Sequence, residues 1–254
     1  MYSAERREAI LLLLEKKSRV NVDYLATHFG VSRSSIRRDL SQLRQHGLLT
    51  RTYGGAVIVN GTGGEIPFIE RQVANFVEKN QIGKAAAQLV AEGDTIFIDG
   101  GTTTECMLPY LADKRITVVT YGLNIINRLS LNHNVTLIAI GGTLHTDSLT
   151  FSGMLALHSI HTYNIHFDKA FLAASGVSAV AGITNASLEE IPIKRKAIKA
   201  GQHNILLADA SKIGVIRAGF VAPLYEINRL ITGTHADSNE LTIMRDLGLA
   251  VELV

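Results

Sequence analysis

Six consecutive residues, Asp99, Gly100, Gly101, Thr102, Thr103 and Thr104, carry the side chains best suited to hold a small polar molecule. Two glycines let the backbone turn closely. The three threonines stand where a helix begins, so unpaired N–H groups and hydroxyls face an anion such as phosphate. Asp99 repels phosphate but accepts hydrogen bonds from sugar hydroxyls, and the combination points to a phosphorylated sugar or polyol. Gly141, Gly142 and Thr143 form a second loop of this kind, and Lys212, close after Asp209, supplies a movable positive charge. Any one loop reads equally well as an ordinary strand-to-helix turn with its cap; several together favour a ligand.

A second set of residues suits a polyanion. At about 100° per residue, Ile36, Leu40 and Leu43 lie on one stripe of a helix, while Ser34, Arg38, Ser41 and Gln45 point the opposite way. Ser32 is placed to cap its start and Gly47, after His46, to stop it. Upstream, Asn21 caps a helix whose apolar face is Val22, Leu25, Ala26 and Phe29, and Gly30 ends it. An amphipathic helix, a short break and a Ser-capped basic helix make a helix-turn-helix, whose second helix enters the major groove N-terminus first. The DNA-facing candidates are Ser32, Arg33, Ser34, Ser35, Arg37, Arg38 and Ser41. Residues 3–16 supply a third helix, with Ala9, Ile10, Leu13 and Leu14 to close a small core. Extended runs at 48–53 and 56–59 flank Gly54 and Gly55, a pair suited to a primed hairpin turn. That hairpin is a wing, carrying Arg51 and Tyr53 towards the backbone or minor groove. The competing reading is a solvated basic face, with Arg37 and Arg38 paired to acids such as Asp39.

Charge favours the first reading. Residues 1–60 hold 10 Lys and Arg against 5 Asp and Glu, whereas the rest hold 15 against 18, so a chain of net charge +2 divides into a basic end and a mildly acidic body. Its 254 residues, 46% hydrophobic, suffice for one small and one medium core. No apolar run approaches the ~20 residues of a membrane span, and no signal-peptide pattern appears, so a cytoplasmic location is expected. The single cysteine, Cys106, fits a reducing compartment and reads as a small buried residue rather than a nucleophile.

The stretch Asn-Gly-Thr-Gly-Gly-Glu-Ile-Pro (60–67) marks a linker. We therefore expect a winged helix-turn-helix over 1–59, a linker and the start of a connector helix over 60–74, and an α/β sensing domain over 75–254. The connector is expected to be one helix from Glu70 to Ala91. Short apolar runs follow at 95–99, 116–120, 135–140, 170–174, 204–209 and 230–232, separated by helical stretches, as a parallel sheet covered on both faces requires. Each run ends in small or polar residues, and in such sheets the carboxyl ends of the strands form the ligand crevice.

The chain resembles the DeoR family of bacterial transcriptional regulators. The resemblance is carried by Val-Ser-Arg-Ser-Ser-Ile-Arg-Arg-Asp-Leu (31–40) and Leu-Thr-Arg-Thr-Tyr-Gly-Gly-Ala (49–56). Asp-Gly-Gly-Thr-Thr (99–103), Thr-Tyr-Gly-Leu-Asn (120–124), Gly-Gly-Thr-Leu (141–144) and Asp-Ala-Ser-Lys-Ile-Gly (209–214) follow in the family's order. It implies a sensor similar in fold to ribose-5-phosphate isomerase, phosphorylated sugars as effectors and repression of carbohydrate-use operons. By this resemblance the effector-site motifs fall on Asp99, Gly101, Thr102, Thr103, Asn124, Gly141, Gly142, Asp209 and Lys212. Arg71 and Lys79 match basic positions at the start of the sensor, and Glu190 and Lys194 match the Glu and Lys of a later helix. Gly100, Thr104 and Tyr121 complete the candidate set. Tyr121 stands where Asn is common, Ile213 where an aromatic is common, and Ser175–Ser178 lacks an acidic residue often found there.

These readings imply a homodimer or homotetramer that places recognition helices on operator half-sites, under control of a phosphorylated sugar and without a cofactor. Two alternatives remain: a sugar-phosphate isomerase using Asp99, Asp209 and Lys212 for proton transfer, and a metal sensor using His158, His161 and His166, whose spacing matches no known zinc pattern.

Overall fold

The computed structural model describes residues 6–7, 9–10, 13, 19–45, 50–52, 55–57 and 67–254, in two compact units that divide between Phe76 and Val77.

In the first unit the expected helices are the helix Val22–Phe29 and the helix Arg33–Gln45. Asn21 Oδ1 accepts from Tyr24 N at 2.6 Å, and Gly30, at φ +63°, closes the first helix in a left-handed conformation that glycine adopts without strain. Ser32 Oγ accepts from Ser35 N at 3.1 Å and so caps the second helix. Ile36, Leu40 and Leu43 are buried with Ile10, Val20, Val22 and Leu25 in one core, and Val73 packs against it. Leu14, His46 and Gly47 lie outside the described residues.

The wing differs in detail. Strands β1 (Arg19–Asn21), β2 (Thr50–Thr52) and β3 (Gly55–Val57) form an antiparallel sheet with β3 in the centre. Gly55 is therefore a strand residue, opposite both Thr52 and Asn21, not half of the turn. Tyr53 and Gly54 lie outside the described residues, as does the side chain of Arg51.

The expected single connector is two helices, Phe68–Val73 and Phe76–Gln88. Asn75 lies between them at φ +54°, a left-handed conformation that interrupts helical hydrogen bonding. The short first helix falls in the unit of the DNA-binding elements.

The second unit is built on seven parallel strands, β4 (Thr95–Ile98), β5 (Ile116–Thr120), β6 (Val135–Ala139), β9 (Phe167–Ala173), β12 (Gly201–Leu207), β14 (Arg229–Thr232) and β15 (Ala250–Leu253), in the order β15-β14-β12-β9-β4-β5-β6. The two-residue period of the strands sorts their apolar side chains. Ile96, Ile98, Val118, Phe171, Ile205 and Leu207 meet Ile82 and Ala86 of the helix Phe76–Gln88 and Ile125 of the helix Leu123–Leu129 on one face. Phe97, Val119, Leu172, Leu206 and Leu230 meet Ile160, Ile193, Ala197 and Met244 on the other. The helices bearing these last four are Met154–Tyr163, Ile191–Ala200 and Ser238–Asp246.

The six apolar runs all lie in this sheet, and β15 is a seventh strand, at one edge, that the sequence reading lacked. Two small antiparallel additions were also unforeseen. One is the hairpin β7 (Thr143–His145) with β8 (Thr150–Ser152); the other joins β10 (Gly176–Ser178), β11 (Gly182–Asn185) and β13 (Gly219–Ala222). From β4 the chain builds outward through β5 and β6, then returns to lay β9 against the opposite side of β4. The carboxyl ends of β4 and β9 therefore flank the topological switch point, where such sheets place their crevice.

Asp39 is buried and held by Arg6 Nε at 2.6 Å, with Arg7 at 3.9 Å. Removing one partner of a buried pair costs about 3–5 kcal/mol, whereas exposed, unpaired positions usually change stability by less than about 0.5 kcal/mol. Asp39→Ala should therefore unfold the N-terminal unit at markedly lower urea than Arg37→Ala; equal midpoints in circular dichroism melts would contradict the role given to this pair.

Candidate functional site

Asp99 follows β4 and is 1% exposed. Its Oδ1 accepts from Tyr121 Oη at 2.6 Å; its Oδ2 accepts from Ala173 N and from Lys194 Nζ, both at 2.8 Å. A carboxylate so deeply buried must be neutralised and hydrogen-bonded, and here both requirements are met within the protein. This corrects the expectation that Asp99 offers its oxygens to sugar hydroxyls: it ties β4 to β9 across the switch point and holds Lys194.

Lys194, one turn after Glu190, also donates to Ala173 O at 2.9 Å and lies 3.6 Å from Glu190 Oε2. Glu190 in turn accepts from Thr150 Oγ1 at 3.1 Å and from Asn185 Nδ2 at 3.2 Å, and Thr150 is bonded to Ser148 at 2.6 Å. Two carboxylates against one ammonium leave this cluster net negative. Lys194 is thus a buried structural cation. Tyr121 is fully buried and stacked on Phe97, so the family departure at this position falls in the core. Ile213 is likewise a buried core residue.

The glycines are required by contact. A Cβ on Gly100 would stand 2.6 Å from Thr150 Cγ2, and one on Gly101 2.5 Å from the Cβ of Ala173. The helix that follows is a single turn, Thr102–Glu105, in which Thr104 Oγ1 turns back to Asp99 O at 2.6 Å. Thr104 is therefore a structural brace, whereas the hydroxyls of Thr102 and Thr103 have no hydrogen-bond partner among the described residues. Asn124 donates to Glu105 Oε2 at 3.2 Å, and its buried Oδ1 has no hydrogen-bond partner among the described residues. Arg128, one turn on, pairs with Glu105 at 3.1 Å.

The other candidates divide. Asp209 caps a short 3-10 turn, Ala210–Lys212, after β12, accepting from Ser211 N at 3.1 Å. Lys212 is half-buried, and its ammonium has no partner among the described residues. Gly141 and Gly142 do not open a helix: Gly142, at φ +151°, leads into the hairpin strand β7, where a Cβ would meet Ser152 O at 2.4 Å. The second phosphate-type loop is thus a hairpin entry. Lys79 is buried on the helix Phe76–Gln88, and Arg71 lies in the other unit, its guanidinium 5.7 Å from the Phe68 ring centre.

Glu105, Arg128, Thr150 and Asn185 were missed. The four-residue spacing of Asn124 and Arg128 was a readable signal; Thr150 and Asn185 reach the cluster from short antiparallel strands that carry no periodic mark.

The thiol of Cys106 donates to Thr102 O at 3.3 Å. Burial pushes its pKa up to about 11, opposed by Lys79, raised further by Glu105 and opposed by Arg128.

On the DNA-reading face, Asp39 is turned inward to Arg6, which removes the acid expected to quench the basic surface. Arg37 and Arg38 are exposed without partners among the described residues. Arg33 instead pairs with Asp23 at 2.6 Å on the surface. Ser32 bonds to Ser34 and Ser35, and Ser41 is half-buried.

A basic helix with free arginines, joined to an α/β unit with a polar switch point, defines a two-domain DNA-binding regulator. Residues 6–62 match the model of the DeoR-like helix-turn-helix domain, and residues 74–234 that of the DeoR C terminal sensor domain. The chain belongs to the DeoR family of transcriptional regulators. It is 34% identical over its whole length to the uncharacterized HTH-type transcriptional regulator YulB of Bacillus subtilis, covering 98% of that protein. It is 32% identical to the HTH-type transcriptional repressor GlcR of the same organism, over 91% of this chain and 89% of GlcR. Ribose 5-phosphate isomerase A from Methanocaldococcus jannaschii aligns over 55% of each chain at 16% identity and a TM-score of 0.41, too distant to bear on chemistry. Among the described residues no helix is long and apolar enough to cross a membrane.

Lys194→Met strands Asp99 without its cation and should destabilise the sensor by about 3–5 kcal/mol, with partial recovery in Asp99→Asn/Lys194→Met; a single variant as stable as wild type would refute the structural role. Because burial raises the folded-state pKa of Cys106 above its ordinary 9.0, the folded chain retains that proton longer than the unfolded one, and stability is lost as pH rises from 9.0 to about 11. Iodoacetamide labelling should accordingly be slow at neutral pH in the folded protein and fast in urea; equal rates would show the thiol to be open.

Proposed function

We propose that the chain represses a carbohydrate-use operon and that a phosphorylated sugar or polyol controls its hold on the operator. The observation that carries this reading is the set of unengaged groups in the sensor. The Thr102 and Thr103 hydroxyls, Asn124 Oδ1 and the Lys212 ammonium have no partners among the described residues. Hydroxyls, an amide oxygen and a cation are the complement of a phosphate bearing a polyol.

In this reading Arg38, opposite the packed stripe, reads a base edge; Arg37 serves a phosphate, and Arg33 joins it after leaving Asp23. The protein acts in the cytoplasm as a homodimer or homotetramer, so that two recognition helices meet the two halves of a palindromic site. A repressor named GlcR among the relatives supports the negative sign of control. Binding rather than turnover is supported by the engagement of both Asp99 oxygens, Oδ1 with Tyr121 and Oδ2 with Ala173 N and Lys194, which fills three of about four acceptor positions.

Arg38→Ala should weaken binding to the chain's own operator by about 1–3 kcal/mol and relax sequence preference at one position, whereas Arg37→Ala should weaken all duplexes alike and flatten the salt dependence. Undiminished operator affinity in Arg38→Ala at fixed salt would overturn the helix assignment. A thermal-shift series of pentose, hexose and polyol phosphates should contain a ligand that stabilises the sensor by mass action and releases operator DNA. No shift and no release across the series would overturn the sensing half, and a changed sugar recovered after incubation would show an enzyme.

A further inference from the structure

Glu78 lies near the start of the helix Phe76–Gln88 and was assigned nothing by the sequence. Its Oε1 accepts from the backbone N–H of Ala210 at 2.7 Å, across 132 residues of chain. Ala210 opens the 3-10 turn that carries Lys212, immediately after Asp209, and a first-turn N–H has no partner within the turn itself. The carboxylate also lies flat against the end of β14: a Cβ on Gly233 would stand 2.0 Å from Glu78 Oε1 and 2.5 Å from its Cδ. Glu78 is thereby seated over the carboxyl ends of β12 and β14, in a slot that only glycine leaves open.

The same helix begins directly after Asn75, whose left-handed backbone separates it from the helix Phe68–Val73. Val73 packs in the core of the DNA-binding unit. One side chain therefore joins the turn that offers the free Lys212 ammonium to the first helix of the sensor, three residues from the bend at which the chain passes to the other unit. The Thr232 hydroxyl, fully buried one residue before Gly233, has no hydrogen-bond partner among the described residues, so this corner carries a cost that a shifted arrangement can relieve.

We propose that Glu78 is the latch through which displacement of the 209–213 turn reaches the DNA-binding unit. A ligand drawn to Lys212 moves the turn, the Glu78 to Ala210 bond breaks, and the helix Phe76–Gln88 is freed to reorient at Asn75. Glu78 is a positioning residue: it contacts no DNA and contributes only a difference in free energy between two arrangements of its helix. The inference rests on the regulatory reading above, yet its test needs no sugar.

The bond can be cut from either end. Glu78→Ala removes the acceptor. Ala210→Pro removes only the donor, at a first-turn position that accepts proline and after an Asp209 that is already extended at ψ 158°. Affinity is measured for the full chain on a duplex it selects from a random pool, at fixed salt, with hydrogen exchange followed over residues 68–88 and 209–215. Each single variant should change affinity at least threefold in the same direction and speed exchange in both segments; the double variant should do no more than the larger single. Glu78→Gln, which keeps an acceptor, should stay nearer to wild type, and Gly233→Ala, which evicts the Glu78 side chain while leaving both bonded residues unsubstituted, should reproduce the single variants. Affinity changes below threefold in both singles, or a double variant equal to the product of the two, would overturn the latch, whether or not any phosphorylated sugar proves to bind. If a sugar phosphate fails to bind while these effects appear, the latch stands and the effector class falls.

Discussion

The sensor depends on a buried ion pair that joins strands distant in sequence. Where β9 returns beside β4, two strand ends that no short loop connects have to be held in register, and Asp99 does this by bonding Ala173 N and, through Lys194, Ala173 O. A lone charge at 1–3% exposure would be prohibitive. The pair is tolerated because Tyr121, two backbone groups and the nearby Glu190 satisfy what the two charges leave over. Such an arrangement is not chosen for net stability, since apolar packing of equal volume serves as well or better. It fixes one geometry at the switch point.

That geometry dictates the surroundings. With Thr150 and Ala173 pressed against the turn, Gly100 and Gly101 have to lack side chains. With Asp99 and Glu190 opposed by one lysine, the buried cluster holds more carboxylates than ammonium groups, and the polar groups left without partners among the described residues are the Thr102 and Thr103 hydroxyls, Asn124 Oδ1 and the Lys212 ammonium. Residues that resemble one another in a motif thus divide into those whose polar atoms build the buried cluster and those that keep a polar atom without a partner among the described residues: Asp99, Thr104, Glu190 and Lys194 belong to the first group, Thr102, Thr103 and Asn124 to the second.

Six of the seven strands were legible because continuous apolar runs have one stable use, a sheet buried on both faces, and the recognition helix because its stripe and caps agree. What the sequence concealed was local or remote. The edge strand β15, Ala-Val-Glu-Leu, is half-exposed and interrupted by Glu252, so no continuous apolar run marks it. Asn75 breaks a helix by backbone conformation, which apolar periodicity does not report. Gly142 resembles a phosphate loop because a hairpin entry and an anion site ask the same freedom of the backbone. Asp99 could be recognised as important but not as occupied, since its partners Ala173 and Lys194 are 74 and 95 positions away.

The scale of control places a limit on what any one contact does. Regulatory couplings of 5- to 150-fold correspond to about 1–3 kcal/mol, and an intramolecular hydrogen bond contributes about 0.5–1.5 kcal/mol net, more when one partner is charged. The Glu78 to Ala210 bond therefore suffices for the lower part of that range by itself. A larger response requires that the ligand also favour the displaced turn by its own contacts, with Lys212 the available cation. The bend at Asn75 adds nothing to this sum in either direction; it lets the helix change direction at a point where helical hydrogen bonding is already interrupted, so that almost none of the coupling energy is lost in breaking the helix.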